Sequence, residues 1–264
     1  MISVSGLTVT YGRGTPLEKT ALRGLDLEIG EGEFVTVIGS NGAGKSTLLG
    51  ALAGDVIADR GRIVIDGIDV TRVPTAKRSR LIARVFQDPM AGTCAGLTIE
   101  ENMALAASRG MRRGLGRAVA EARRESFRAR IAELGLGLEG RLGDAMALLS
   151  GGQRQAVSLL MSTLSTARVL LLDEHTAALD PATGEFVLDL TRQVVAETGV
   201  TTLMVTHSMR QALDCGTRTI MLHEGRTVLD IQGDQRSALD VPDLLAMFRR
   251  VRGQELADDA LLIG

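Results

Sequence analysis

The chain has 264 residues, 45% of them hydrophobic, and a formal net charge of −2 at pH 7. That balance supports a substantial buried core and removes any general attraction to nucleic acid or acidic lipid; no run approaches the roughly 18 apolar residues of a spanning helix. Two cysteines, Cys94 and Cys215, neither make a disulfide framework nor fall at zinc-ligand spacing, and both read as reduced thiols.

The first residues, Met1-Ile2-Ser3-Val4-Ser5, lack the charged-then-apolar pattern of an export signal, so a soluble, cytosolic chain is expected. Ile2 to Thr10, Leu25 to Ile29 and Phe34 to Ile38 read as strands broken by Gly-containing turns. The third is almost wholly apolar, as a buried central strand requires. Gly39-Ser40-Asn41-Gly42-Ala43-Gly44-Lys45-Ser46 follows it directly, and Lys45 to Ala53 then places Leu48, Leu49 and Leu52 on one helical face before Gly54 stops the helix. Glycines at 39, 42 and 44 let a loop curve so that several backbone N–H groups converge on phosphate. A strand before it and a helix after it are the context in which such a loop binds a nucleotide. Lys45 is expected at the β- and γ-phosphates and Ser46 as an oxygen ligand of Mg²⁺, with Thr47 beside it in the nucleotide site. The chain uses 27 Arg but only three Lys, at 19, 45 and 77. One of the three sits inside the loop, where a compact ammonium fits between phosphate oxygens.

Arg62 to Ile65 with Asp66-Gly67 reads as strand and turn. From about residue 88 to 165 the character becomes helical. Thr98 with Glu101 forms a capping box for a helix toward Ser108, and an Arg/Glu/Ala-rich helix runs from about Arg117 to Leu134, ending at Gly135. Ser150-Gly151-Gly152-Gln153 opens another helix, with Ser150 as N-cap and glycines that leave the terminal amides open to an anion; alone, it is equally an ordinary capped start. The α/β rhythm then returns. Val169 to Leu172 is a buried strand that delivers Asp173 at its carboxyl edge, where open α/β sheets bind ligands. Asp173 is expected to hold Mg²⁺, leaving Glu174 to orient and deprotonate the attacking water. Asp180-Pro181 opens a long helix that stops at Gly199, Thr201 to Thr206 is a strand, and Arg218 to Leu222 with Arg226 to Ile231 suggests a hairpin. Leu244, Leu245, Phe248 and Val251 form an apolar stripe at helical spacing near the C-terminus, expected to pack on the main domain.

In this order, the loop, the Leu149-Ser150-Gly151-Gly152-Gln153 string, Val169 to Glu174 and His207 resemble the ATP-binding subunit of an ABC transporter, over nearly the whole chain. The resemblance implies an α/β fold: a P-loop NTPase core with a mostly parallel sheet and an N-terminal antiparallel β-subdomain (1–87 and 166–240), an inserted α-helical subdomain (88–165), and a C-terminal helix and tail (241–264). It also implies that residues 150–153 close on the nucleotide of a second ATPase subunit, expected to be an identical copy, so that one chain cannot complete its own site. Gln87 matches the family glutamine that senses the metal and γ-phosphate, His207 the switch histidine at the γ-phosphate, and Tyr11 the aromatic that stacks on adenine. Leu179-Asp180 matches the loop that crosses between subunits, while Asp180 before Pro181 is also a good helix cap. His175 departs from the common family pattern, where Pro usually follows the Glu. Residues Asp173 to Asp180 resemble a smaller bacterial branch associated with uptake of aromatic or other amino acids. A titratable ring beside the presumed base raises the expectation of pH-sensitive turnover near neutrality; the alternative is a spectator side chain in a turn.

The resemblance thus implies ATP and Mg²⁺ as cofactors and a head-to-tail dimer that drives separate transmembrane permease subunits. It further implies an extracytoplasmic solute-binding protein, no nucleic-acid partner, and a peripheral location on the cytoplasmic face of the inner membrane. Import of a small solute such as an amino acid is the favoured direction on family analogy. Two alternatives stand beside it. One is an ABC-type ATPase acting on nucleic acid or ribosomes, and the other is a P-loop small-molecule kinase.

Overall fold

The computed structural model describes residues 1–111 and 119–250. Alternating apolar residues in β1 (Ile2–Tyr11) bury Ile2 and Val4, then Leu7 and Val9. The extra residue between the two pairs is accommodated by a bulge at Gly6, whose φ of 58° is left-handed, so the same face stays inward on both sides of it. β2 (Lys19–Ile29) begins six residues before the expected Leu25, because its first half pairs with the end of β1. β3 (Phe34–Gly39), α1 (Lys45–Ala53), β4 (Arg60–Ile65), β5 (Ile68–Asp69), α2 (Thr75–Arg78) and β6 (Ile82–Val85) follow. Next come α3 (Ile99–Ala107), α4 (Glu121–Ala132), α5 (Gly151–Thr163), β7 (Val169–Asp173), α6 (Pro181–Thr198) and β8 (Thr201–Val205). α7 (Met209–Asp214), β9 (Arg218–His223), β10 (Arg226–Gln232) and α8 (Gly233–Ser237) lead to a helical stretch over 241–250.

The strands form two sheets. One is antiparallel, ordered β2-β1-β4-β5; the other is ordered β10-β9-β3-β8-β7-β6 and is parallel except for β10 at its edge. Between them runs α1, with Leu48, Leu49 and Leu52 in one apolar cluster with residues of both sheets. Helices α3, α4 and α5 bury a separate cluster around Ile99, Met103, Ile131 and Val157. Arg124 of α4 clamps Glu100 of α3 through both carboxylate oxygens, at 2.6 and 2.7 Å. The expected helix before Gly135 starts at Glu121, and residues 117–118 of that expectation lie outside the described residues.

The C-terminal stripe docks only in part. Leu244 is buried against Ile38, Ala212, Met221 and Ile231, and Phe248 packs beside it. Leu245 faces solvent, and Val251 lies outside the described residues.

Candidate active site

At the end of β3 the chain is wedged between neighbouring backbones. A Cβ on Gly39 would lie 2.3 Å from the Leu222 carbonyl of β9, and one on Gly44 would lie 2.7 Å from the Ala21 carbonyl of β2. Gly44 also has φ 104°, so glycine is required there twice over. The loop delivers α1 without a side-chain N-cap, whereas Thr98, Ser150, Asp180 and Ser208 cap α3, α5, α6 and α7. The first N–H groups of α1 are therefore left for an outside acceptor, which fits a phosphate group. Lys45 is 5% exposed, and its Nζ donates to the carbonyls of Gly39 (2.9 Å) and Ser40 (3.1 Å). Burial pushes its pKa down, and the charges of Glu174 and Asp173 push it back up. Tyr11 keeps 45% of its surface exposed at the end of β1, with its hydroxyl 3.4 Å from Thr47 Oγ1. Asn41, Gly42 and Ser46 are exposed on the loop, Ser40 and Thr47 are half-buried, and Ala43 packs into the core.

Parallel pairing of β7 with β8 sets Asp173 opposite Val205, and the Glu174 N–H donates to the Val205 carbonyl at 3.0 Å. Glu174 has φ 44°, in the left-handed region that costs a non-glycine residue energy, as functional positions often do. The turn brings Glu174 Oε2 to 3.5 Å from Nδ1 of His207, which follows β8. Gln87 is exposed just past the end of β6, on a segment anchored by Gln155 Nε2 donating to the Phe86 carbonyl at 3.0 Å.

Sequence reading missed Arg84. From β6 its guanidinium reaches Asp173 Oδ2 at 2.7 Å and Asp55 Oδ2 at 2.6 Å, and it lies 4.5 Å over the Phe86 ring. A lone charge inside Leu81-Ile82-Ala83-Arg84-Val85-Phe86 was the available signal. Asp173 thus has one oxygen committed, while Oδ1 accepts no hydrogen bond among the described residues. No group of three or more His, Cys, Asp or Glu side chains among the described residues could hold a metal. One carboxylate and a hydroxyl suit Mg²⁺, which takes most of its ligands from water and phosphate.

Residues 150–153 form a closed capping box. Ser150 Oγ accepts from the Gln153 N–H at 3.2 Å, and Gln153 Oε1 accepts from the Ser150 N–H at 3.1 Å. Gly152 lies against α6, where a Cβ would be 2.0 Å from Thr183 Cγ2; Gly151 has room, its nearest neighbour being Leu179 Cδ2 at 3.6 Å. Among the described residues no hydrogen bond or ion pair joins 150–153 to the 39–47 loop of the same chain. Asp180 accepts from the Thr183 N–H, so it does cap α6.

His175 corrects an expectation. Its ring is 2% exposed and points at α6, with Nε2 2.9 Å from Thr191 Oγ1. Thr191 spends its own proton on the Val187 carbonyl, so the ring must donate to it. Burial pushes the ring's pKa down to about 4, which leaves it neutral around pH 7 and unable to tune turnover there. On the other side, Gln211 links Thr176 to Thr206, fixing the stretch after Glu174 from a second direction.

The profile of the ABC transporter family matches residues 22–177. The chain is 40% identical over 248 residues to the tyrosine transport ATP-binding protein of Clostridioides difficile (strain R20291), covering 94% of this chain and 98% of that one. It is 37% identical to the thiamine import ATP-binding protein ThiQ of Brucella abortus biovar 1, over 85% of this chain and 86% of the relative. It is 36% identical to the lipoprotein-releasing system ATP-binding protein LolD of Ruegeria pomeroyi, over 85% and 96%. Among solved structures it is similar to the dimeric post-hydrolysis state of the ATP-binding cassette MJ0796 bound to ADP and Pi, with TM-score 0.75, 30% identity and coverage of 88% and 98%. The ADP conformation of the cassette MJ1267 shares the fold, with TM-score 0.76, 22% identity and coverage of 94% and 98%.

Proposed function

We propose that this chain, which belongs to the ABC transporter family and is an ATP-hydrolysing subunit of it, cleaves the γ-phosphate of ATP with Glu174 as general base. The observation that carries this is the convergence of Lys45, Asp173, Glu174 and His207 at the carboxyl ends of β3, β7 and β8, with Glu174 and His207 3.5 Å apart. Lys45 exchanges the Gly39 and Ser40 carbonyls for phosphate oxygens, assisted by the N–H groups of Ser40 to Thr47 and the open start of α1. Tyr11 stacks on the adenine. Glu174 takes a proton from the water that attacks phosphorus, the bond to the β-phosphate oxygen breaks, and ADP and phosphate leave. His207 contacts the γ-phosphate and steadies the Glu174 carboxylate. Ser46, Gln87 and Asp173 Oδ1 are the groups that would hold Mg²⁺, which neutralises charge on the phosphate oxygens when bound.

Residues 150–153 serve the loop of a second copy, a reading supported by the dimeric cassette at 30% identity. Dimer closure on two ATP molecules drives separate permease subunits. No helix among the described residues is long and apolar enough to cross a membrane, and the location proposed is the cytoplasmic face, held there by the permease. The tyrosine-transport relative supports an amino acid as solute, taken up with the help of an extracytoplasmic binding protein. Family membership removes the small-molecule kinase alternative.

Glu174→Gln should lower turnover by about three orders of magnitude, keep ATP binding and accumulate a nucleotide-bound dimer on gel filtration. Lys45→Ala should lose binding itself. A Glu174→Gln protein that hydrolyses ATP at the parent rate would remove Glu174 as the base.

A further inference from the structure

We infer that Lys19 is a second phosphate-binding cation of the nucleotide site, an inference that rests on the reading of residues 39–47 as the ATP loop. Lys19 opens β2 directly opposite Tyr11 in the β1–β2 register. From these paired positions the two side chains reach the same loop and helix start. The Tyr11 hydroxyl lies 3.4 Å from Thr47, and the Lys19 ammonium lies 3.3 Å from where a Cβ on Gly42 would stand. Gly42 is the exposed turn of the loop, with φ 80°.

Lys19 is exposed and its ammonium makes no hydrogen bond or ion pair among the described residues, and the carboxylate next to it in sequence, Glu18, is engaged by the Gly14 N–H at 2.7 Å. An ammonium beside a turn whose N–H groups face outward, with no protein acceptor of its own, is positive charge added to positive charge. An anion resolves that arrangement. Lys45 already serves the Gly39–Ser40 end of the loop, so the two ammonium groups stand at different points along it. Two of the chain's three lysines are therefore at this loop, in a protein that otherwise uses arginine 27 times. A compact ammonium on a flexible stem can follow a phosphate chain, where a planar guanidinium would demand a fixed geometry. The ligand group assigned to Lys19 is the polyphosphate of the nucleotide, and its placement on the antiparallel sheet ties the adenine-stacking Tyr11 to phosphate recognition.

The test is calorimetric titration of the full chain with ATP, ADP and adenosine, comparing the parent with Lys19→Met, which keeps the stem, and Lys19→Arg, which keeps the charge. Lys19→Met should weaken ATP and ADP about tenfold while leaving adenosine unchanged, and Lys19→Arg should recover most of the loss. ATP affinity within about twofold of the parent in Lys19→Met would overturn the assignment. So would an equal loss for adenosine, because Lys19 would then act through the fold of the sheet. A parent that binds no ATP would instead defeat the underlying ATPase reading.

Discussion

Glu174 and His175 are neighbours with opposite environments. Glu174 sits in a left-handed turn facing His207, while His175 is driven into the interior against Thr191. Its buried ring titrates at about 4 against 6.5 for an exposed one, so the unfolded chain takes up a proton that the native state refuses. Stability is therefore complete above pH 6.5 and falls as pH drops toward 4, by about 3 kcal/mol at most from this ring. His175→Gln retains a donor for Thr191 and does not titrate. Urea unfolding at pH 7.5 and pH 5 should show the parent losing more stability than the variant between the two, and ATPase profiles of the two around neutrality should superimpose. Equal losses would mean that the ring is accessible to protons in the native state. Position along the chain was enough to nominate Lys45, Asp173 and Glu174, because a loop between a strand and a helix, and acids at a strand end, are local patterns; His207 was nominated only through the family resemblance. The lone charge at Arg84 was legible but its role was not, and Lys19 was missed for the same reason. Each reaches its partner across strands or turns that only the folded sheets bring together.

The start of α5 shows how packing between elements constrains a sequence that reads as chemistry. Gly152 has been kept without a side chain by α6, since Thr183 Cγ2 occupies the space of its Cβ. Gly152→Ala should cost about 1–3 kcal/mol through overpacking. Thr183→Ser, which deletes that methyl and leaves the backbone N–H that Asp180 accepts from, should return most of the loss in the double variant. Urea unfolding of the four proteins in the cycle reads this directly, and additive losses would mean that the helices do not press on each other here. Long elements with sharp ends were legible: α3 has its Thr98–Glu101 box, and α6 runs from the Asp180 cap to Gly199. Short elements, and those whose apolar pattern is interrupted, were not. The apolar pattern of β6 is interrupted by Arg84 and that of β2 by Gly24, and α2, α7 and α8 are too brief for an apolar period to emerge, so tertiary contacts define them.

Across the whole molecule the chemistry is divided. The carboxyl edge of the parallel sheet carries the loop, the acids and His207, while the tip of α5 packs on α6 and shares no polar contact with that loop among the described residues. If the tip serves a second copy, two differently damaged chains should repair each other. Gly151→Asp suits this test because the position has room for a side chain, and an acid in the first turn of a helix favours the fold. The variant should be at least as stable as the parent yet inactive, since its carboxylate would confront the partner's nucleotide phosphates. Lys45→Ala should be inactive because it cannot hold nucleotide, although its α5 tip is intact. In an equimolar mixture about half of the dimers pair the two variants, and each of these has one complete site, so ATPase activity should return to about one quarter of the parent value. If each chain completed its own site, neither variant could lend the other anything, and the mixture would stay as inactive as its components.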